Sequence, residues 1–139
     1  MIHPLPAQQK IFATVIVKNS PIQGRGVYAA RAFQKGEVVL VWEKARELSL
    51  QEYKALLESE RHYIDFNHGK ILLMAEPERY MNHSCDPNTF TGDKCDIASR
   101  PIKEGEEITS DYAKCNMPGV RMLCSCGSPL CRGIIIGEG

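Results

Sequence analysis

Residues 80–89 read YMNHSCDPNT. Asp86-Pro87-Asn88 is ordinary turn chemistry, since Asp and Asn bond their own backbone and Pro presets φ. Asn82-His83-Ser84-Cys85 is different: an amide, an imidazole, a hydroxyl and a thiol follow one another. Together they offer donors, acceptors and a soft metal ligand. A plain surface turn has no use for that set, so the fold is decided by what these four residues hold.

The chain bounds the answer. Its 139 residues fit one domain with a real core, and 43% hydrophobic with 24% charged residues is ordinary globular composition. Seventeen basic residues balance seventeen acidic ones, which argues against sequence-independent nucleic-acid binding. No apolar run approaches the ~20 residues that span a bilayer, so no membrane partner is expected. Met1-Ile2-His3-Pro4-Leu5-Pro6 has neither the charged segment nor the apolar core of a secretory signal. A loose terminus over residues 1–10 and an intracellular protein, nuclear or cytoplasmic, are expected. In a reducing compartment, clustered cysteines read as metal ligands before disulfides.

Short β-branched runs at Ala13–Val17 and Val38–Trp42 predict strands, and Ile71–Met74 a further buried one. Gly24-Arg25-Gly26-Val27-Tyr28 reads as a glycine-hinged turn. Ser49 to about Arg61 predicts a helix, with Ser49 and Glu52 as a capping box and Tyr53, Leu56 and Leu57 at helical spacing. Residues 29–39, AARAFQKGEVV, echo residues 98–108, ASRPIKEGEEI, each as strand, Gly-containing turn, strand. The result is a mainly β domain of small hairpins with one inserted helix.

Cys124, Cys126 and Cys131, set among Gly127, Pro129 and Gly133, can converge on one point. Zn²⁺ takes four ligands in a tetrahedron, so three local thiols call for a fourth from elsewhere; Cys85, Cys95 and Cys115 are the thiol candidates. Free core cysteines are the bland alternative. The sparse apolar content of the tail favours a metal, whose binding supplies folding energy.

Four stretches now assemble in order. Gly24-Arg25-Gly26-Val27-Tyr28 is similar to an N-terminal Gly-x-Gly turn. Arg79 to Asn88 is similar to an Arg-Phe-x-Asn-His-Ser-Cys-x-Pro-Asn signature, with Tyr80 where Phe is usual. Gly105-Glu106-Glu107-Ile108-Thr109-Ser110-Asp111-Tyr112 is similar to a Gly-Glu-Glu-Leu-Thr-x-Asp-Tyr segment, and Cys124, Cys126 and Cys131-Arg132-Gly133 to a zinc-binding tail. Over roughly residues 11–135 the chain resembles the SET-domain protein lysine methyltransferases. The resemblance implies a SET (β-clip-like) fold of small curved sheets, in which the Asn-His-Ser-Cys segment threads under another loop as a pseudoknot. Residues 11–113 would form the SET domain and 114–139 a post-SET zinc tail. The resemblance also selects Cys85 as the fourth ligand beside Cys124, Cys126 and Cys131.

It further implies S-adenosylmethionine in one cleft and a lysine entering from the opposite face. Gly24 and Gly26 would let backbone approach the donor, with Arg25 near its amino-acid end. Asn82 and His83 would contact the donor, or else only hold the knot together. Tyr112 would be catalytic, orienting amine and methyl rather than acting as a base. Tyr63 would stand near the donor or the lysine channel, or else belong to the core or cap a helix. Ser110 occupies a position where the family usually has Phe or Tyr, which leaves the number of methyl groups open. His3, His62 and His68 read as surface residues, Cys95 and Cys115 as free thiols.

The expected function is methyl transfer from S-adenosylmethionine to the ε-amine of a protein lysine, a histone tail by resemblance. A dedicated non-histone substrate and a non-catalytic binding module on the same fold are the alternatives. Pairing into a homodimer is compatible with so small a domain.

Overall fold

The computed structural model describes residues 9–116, 118–124 and 126–138; most of the expected loose N-terminus, with His3, lies outside them. In chain order the strands are β1 (Lys10–Ile11), β2 (Val15–Asn19), β3 (Arg25–Ala29), β4 (Val38–Val41) and β5 (Arg46–Leu48), followed by helices α1 (Leu50–Lys54) and α2 (Glu58–Arg61). Then come β6 (Ile64–Asn67), β7 (Lys70–Leu73), a 3₁₀ turn at Glu78–Tyr80, β8 (Asn82–His83), β9 (Thr89–Thr91), β10 (Cys95–Ala98) and β11 (Glu107–Ser110). A 3₁₀ turn at Tyr112–Lys114, β12 (Arg121–Leu123) and β13 (Ile134–Ile136) complete the chain. The strands form small sheets ordered β1-β2-β3-β11-β8, β4-β10-β9, β5-β7-β6 and β12-β13. The molecule is mainly β. No helix among the described residues is long and apolar enough to cross a membrane.

Two expectations change. The Gly24–Tyr28 stretch is a turn only at Gly24, whose φ of +47° is left-handed. From Arg25 onward it is a central strand, because Val27, Tyr28 and Ala29 are buried in the core. The single helix is instead two short ones. The Ser49–Glu52 capping box forms in both directions, but Leu57 is extended (ψ 149°) and starts a second helix. Neither helix buries a residue, and an unpacked helix of one or two turns has little to sustain it.

The internal echo is structural as well as textual. Phe33 pairs with Ile102, and each donates its N–H to the other's carbonyl at 2.8 and 2.9 Å. Ala29 is bonded to Gly105 and Glu106, and Ala98 to Gly36 and Glu37, so each copy clasps the other. Within each turn the acidic side chain caps the loop: Glu37 accepts from Gln34 N–H and Glu106 from Lys103 N–H. Gly36 and Gly105 both take positive φ, 89° and 85°, where a side chain would be strained. Phe33, Ile102, Val15, Val17, Val27, Val39 and Ile108 form the main core around this clasp.

Residues 81–89, the segment expected to thread, are laced to β11. β8 runs parallel to it, Asn82 opposite Thr109 and His83 opposite Ser110. Buried Asn88 accepts from Thr109 N–H at 2.9 Å and donates to the Glu107 carbonyl at 2.8 Å, while Thr89 Oγ1 donates to Thr109 O at 2.7 Å.

A second, smaller core joins Trp42, Leu72 and Met74. Beside it Asp96 is 2% exposed and accepts from Trp42 Nε1 at 2.7 Å. Burial pushes its carboxyl up to about 7, from an ordinary 3.8. Between those values the folded chain keeps a proton that the unfolded chain has released. This part of the stability is therefore greatest below pH ~4 and is lost as pH rises through 7. Thermal unfolding followed from pH 5 to 8 should show a declining midpoint, and Asp96→Asn should flatten that decline by an amount equivalent to a few kcal/mol. Equal slopes for the two proteins would remove Asp96 from this role.

Candidate active site and thiol cluster

The β8–β11 ladder sets the site's register. Asn82 Nδ2 reaches back to the glycine turn, donating to the carbonyls of Gln23 and Arg25 at 3.0 and 2.9 Å and to Glu107 Oε2 at 3.0 Å. Glu107 is fixed in turn by Ser20 Oγ at 2.8–2.9 Å. Gly26 is required there by close approach, not by φ: a Cβ would lie 2.3 Å from Glu107 Oε2 and 2.9 Å from Ser20 Cβ. Asn82 and Gly26 thus share one clasp, which shapes the loop bearing Gly24 and Arg25.

An open cleft of about 370 Å³ lies against this loop, bordered by Gly24, Arg25, Tyr80, Asn82 and Met122. Its size falls within the roughly 300–1,000 Å³ of small-molecule sites. A second, smaller space of about 40 Å³ is bordered by Trp42, Asp65, Met81 and Ser110. Tyr112, Tyr63, His62 and Arg79 border both. Tyr63 closes the end of α2, donating its N–H to the Glu60 carbonyl at 3.0 Å, while Arg79 Cζ lies 3.7 Å from its ring centroid and the ring meets Tyr80 edge-on at 6.5 Å.

Tyr112 thus touches both spaces. Its hydroxyl donates to the Met81 carbonyl, and burial, reinforced by the Asp65 charge, pushes its pKa far up. It therefore keeps its proton and serves as a donor. Its backbone N–H donates to His83 Nδ1 at 2.9 Å, and the two rings lie 5.3 Å apart.

That bond fixes His83's chemistry. An Nδ1 that accepts a hydrogen bond carries no proton, so in the neutral ring the proton sits on Nε2. Nε2 lies 3.2 Å from Cys85 Sγ, which it faces as a donor. His83, Cys85, Cys124 and Cys126 have their ligand atoms within 4.8 Å of one another. Cys85 Sγ is 3.6 Å and Cys131 Sγ 3.5 Å from Cys124 Sγ. Four thiolates around one zinc at ~2.3 Å would stand about 3.8 Å apart, so the donor set fits that ion. A protonated Nε2 would offer no lone pair to a metal, in which case Cys131 could complete the set with His83 as an outer support. Arg132 adds two donors to Cys85 at 3.3 Å and reaches Asp111 at 2.6 Å. Burial pushes the Cys85 thiol up, but Arg132 and His83 outweigh it and hold it below its ordinary value.

The structure thus brings Gly24, Arg25, Tyr63, Asn82 and Tyr112 to one cleft, with Gly26 behind it. Cys85, Cys124, Cys126 and Cys131 come together at its lower edge, where Cys124 and Cys126 border a small extension beside Asn82 and His83. Cys95 and Cys115 are free thiols apart from the cluster, Cys115 bonding Thr91 at 3.3 Å. His62 and His68 are exposed. Sequence reading assigned no role to Asp65, Glu78, Asp96 or Glu107; Glu78 and Asp96 are buried through pairings far away in the chain.

The SET domain family model matches residues 24–113. The chain is 34% identical over 135 residues to human Histone-lysine N-methyltransferase 2D, covering 85% of this chain and 2% of that protein. It is 33% identical over 136 residues to Histone-lysine N-methyltransferase trithorax of Drosophila virilis, covering 84% of this chain and 3% of that one. The chain therefore spans only a few per cent of the length of these curated relatives. A solved Plasmodium falciparum structure, whose name carries the words histone methyltransferase, overlays with a TM-score of 0.61 at 18% identity. That overlay covers 73% of this chain and 95% of that one, a likeness of fold. The matched span holds the glycine turn, the Asn82-His83-Ser84-Cys85 ladder and Tyr112, and the chain belongs to the SET domain family.

Proposed function

We propose that this chain transfers a methyl group from S-adenosylmethionine to the ε-amine of a protein lysine. The observation that supports the reading is that Tyr112 borders both an open cleft and a second, smaller space. A reaction that joins two molecules needs a residue that can touch both. The donor, when bound, supplies an electrophilic methyl on a sulfonium. Gly24 and Arg25 lie where its amino-acid end would rest, and no atom stands within 4 Å of where a Gly24 Cβ would be. Tyr63 and Tyr112 supply apolar walls with polar tips. Tyr112 would align amine and methyl and exclude water, since positioning alone can supply much of the barrier reduction. Its upward pKa suits a donor and argues against a base.

Residues 114–139 are assigned as a tail holding one Zn²⁺ through Cys85, Cys124, Cys126 and Cys131. The relatives' names point to histone lysines as substrate and thus to work on chromatin in the nucleus.

Labelled methyl transfer to core histones, with a cell lysate in parallel, tests the reading. Label on histone lysine is expected; label on lysate proteins alone would keep the reaction and move the substrate, and no label at all would refute the reading. Tyr112→Phe should lower turnover about 100-fold while donor binding by calorimetry stays within a few-fold of wild type; unimpaired turnover would remove its role. Metal analysis should find one zinc per chain, absent from Cys126→Ser together with much of the donor affinity. Full metal content in that variant would overturn the ligand assignment.

A further inference from the structure

Tyr112 is held by its backbone as well as by its hydroxyl. The 3₁₀ turn that carries it presents two amides at its start, and side chains take both. Tyr112 N–H donates to His83 Nδ1 at 2.9 Å, and Ala113 N–H donates to Asp111 Oδ1 at 3.0 Å. One residue later in the chain braces both acceptors. Arg132 Nη2 donates to Asp111 Oδ1 at 2.6 Å, and its Nε and backbone N–H donate to Cys85 Sγ at 3.3 Å. His83 Nε2 faces the same sulfur at 3.2 Å. Arg132, Asp111, Tyr112, His83 and Cys85 therefore close one ring of contacts around the start of the turn.

The ring needs a guanidinium. Nε and Nη2 lie on one edge of a rigid planar fork, which here spans a sulfur and a carboxylate oxygen; a lysine ammonium is a point charge without that fork. There is also a repulsion to offset. Asp111 Oδ1 lies 3.8 Å from His83 Nδ1, and both atoms act as acceptors, so their lone pairs oppose one another. The Arg132 charge beside Asp111 counters this and lets the two acceptors serve adjacent amides. Asp111 is the more sheltered partner, its side chain 21% exposed against 40% for Arg132, so solvent screens this charge-assisted bond only in part.

The same stretch of chain grips the turn again further on. Glu138 N–H donates to the Ala113 carbonyl at 2.7 Å, and Lys114 Nζ donates to Glu138 Oε1 at 2.9 Å. Arg132 and Glu138 flank β13, whose Ile135 is buried. The last strand is thus fastened to the turn at both its ends. Glu138 acts on the residues after Tyr112, and Arg132 through the residue before it.

We propose that Arg132 is a positioning residue for Tyr112. By tying Asp111 to Cys85 it fixes the turn that aims the tyrosine at the two spaces it borders. The inference rests on the methyltransferase reading and adds to it a residue that acts through Asp111, without contact to donor or amine. Misplacing a positioned group by about 1 Å can cost about 100-fold in rate, so even a small loosening of the turn is readable in kcat.

The test uses the full chain purified with zinc, as wild type, Arg132→Ala, Asp111→Asn and the double variant. Alanine keeps the backbone donor to Cys85. Asparagine keeps an oxygen for the Ala113 amide, loses the charge that Arg132 meets and touches no thiol. Hydrogen exchange followed by NMR reads the ring without any substrate. In Arg132→Ala the Tyr112 and Ala113 amides should exchange about tenfold faster, while those of Phe33 and Ile102 keep the wild-type rate. Unchanged exchange at Tyr112 and Ala113, or equal acceleration at all four, would overturn the proposal. With core histones, Arg132→Ala should lose about 10-fold in kcat, with zinc retained and donor Kd by calorimetry within a few-fold of wild type. Should Arg132→Ala lose its zinc, Asp111→Asn decides. Faster exchange at Tyr112 and Ala113 with one zinc per chain supports the proposal, and wild-type exchange there overturns it. The double variant should fall no further in kcat than the worse single one, because both break one contact; additive losses would show independent roles and overturn the proposal. If the wild type transfers no methyl to any protein, the methyltransferase reading falls and the catalytic role of Arg132 with it. If it transfers methyl while exchange and kcat in Arg132→Ala match wild type, the reading stands without the inference.

Discussion

Two parallel-paired residues hold the site in register. Asn82 and His83 lie opposite Thr109 and Ser110, so the segment that ends in Cys85 and the segment that ends in Tyr112 run side by side. A slip of one residue would send every side chain of β8 to the other face. Asn88 prevents it by bonding Thr109 and Glu107 from a site that is almost wholly buried. With that register fixed, Asn82 reaches the glycine turn, His83 reaches both Tyr112 and Cys85, and Cys85 meets the tail thiols. The cleft, the seat of Tyr112 and the thiol cluster are three consequences of one ladder.

His83 links the thiol cluster to Tyr112. Through Nδ1 it receives the Tyr112 backbone, and through Nε2 it faces Cys85. A change of charge at Cys85 is therefore felt one ring away from Tyr112. Arg132 provides a second link, from Cys85 to Asp111, the residue before Tyr112.

Much of this was legible in the sequence because the chemistry is concentrated in short motifs. Asn82, His83, Cys85 and Tyr112 could be named from their neighbours, and the three tail thiols from their spacing. The Ser49–Glu52 box was legible because capping is local. The helix behind it was misread, since only packing could show that Leu57 lacks a partner and breaks the run. The glycine turn was misread as wholly turn because Gly26 signals close approach to Glu107, whose position depends on a strand far along the chain. The acids of the smaller space beside Tyr112 left no local mark at all. Asp65 sits in a strand and Asp96 in another, and nothing in their neighbours says that both face the same space.

The echo between residues 29–39 and 98–108 bears on how the molecule is assembled. Each hairpin uses the other's backbone groups as partners, so neither has a complete set of bonds alone. Joining Phe33 to Ile102 closes a loop that contains both helices, the ladder strand β8 and most of the residues that border the smaller space. Contacts that distant slow folding, because the chain gives up loop entropy before it gains the bond. Once closed, the clasp encloses the sequence between, and local opening at the cleft does not require it to break. The amides of Phe33 and Ile102 belong to the whole molecule's stability, and those of the cleft loop to a cheaper, local motion. Fluctuations that open the cleft then leave the clasp intact.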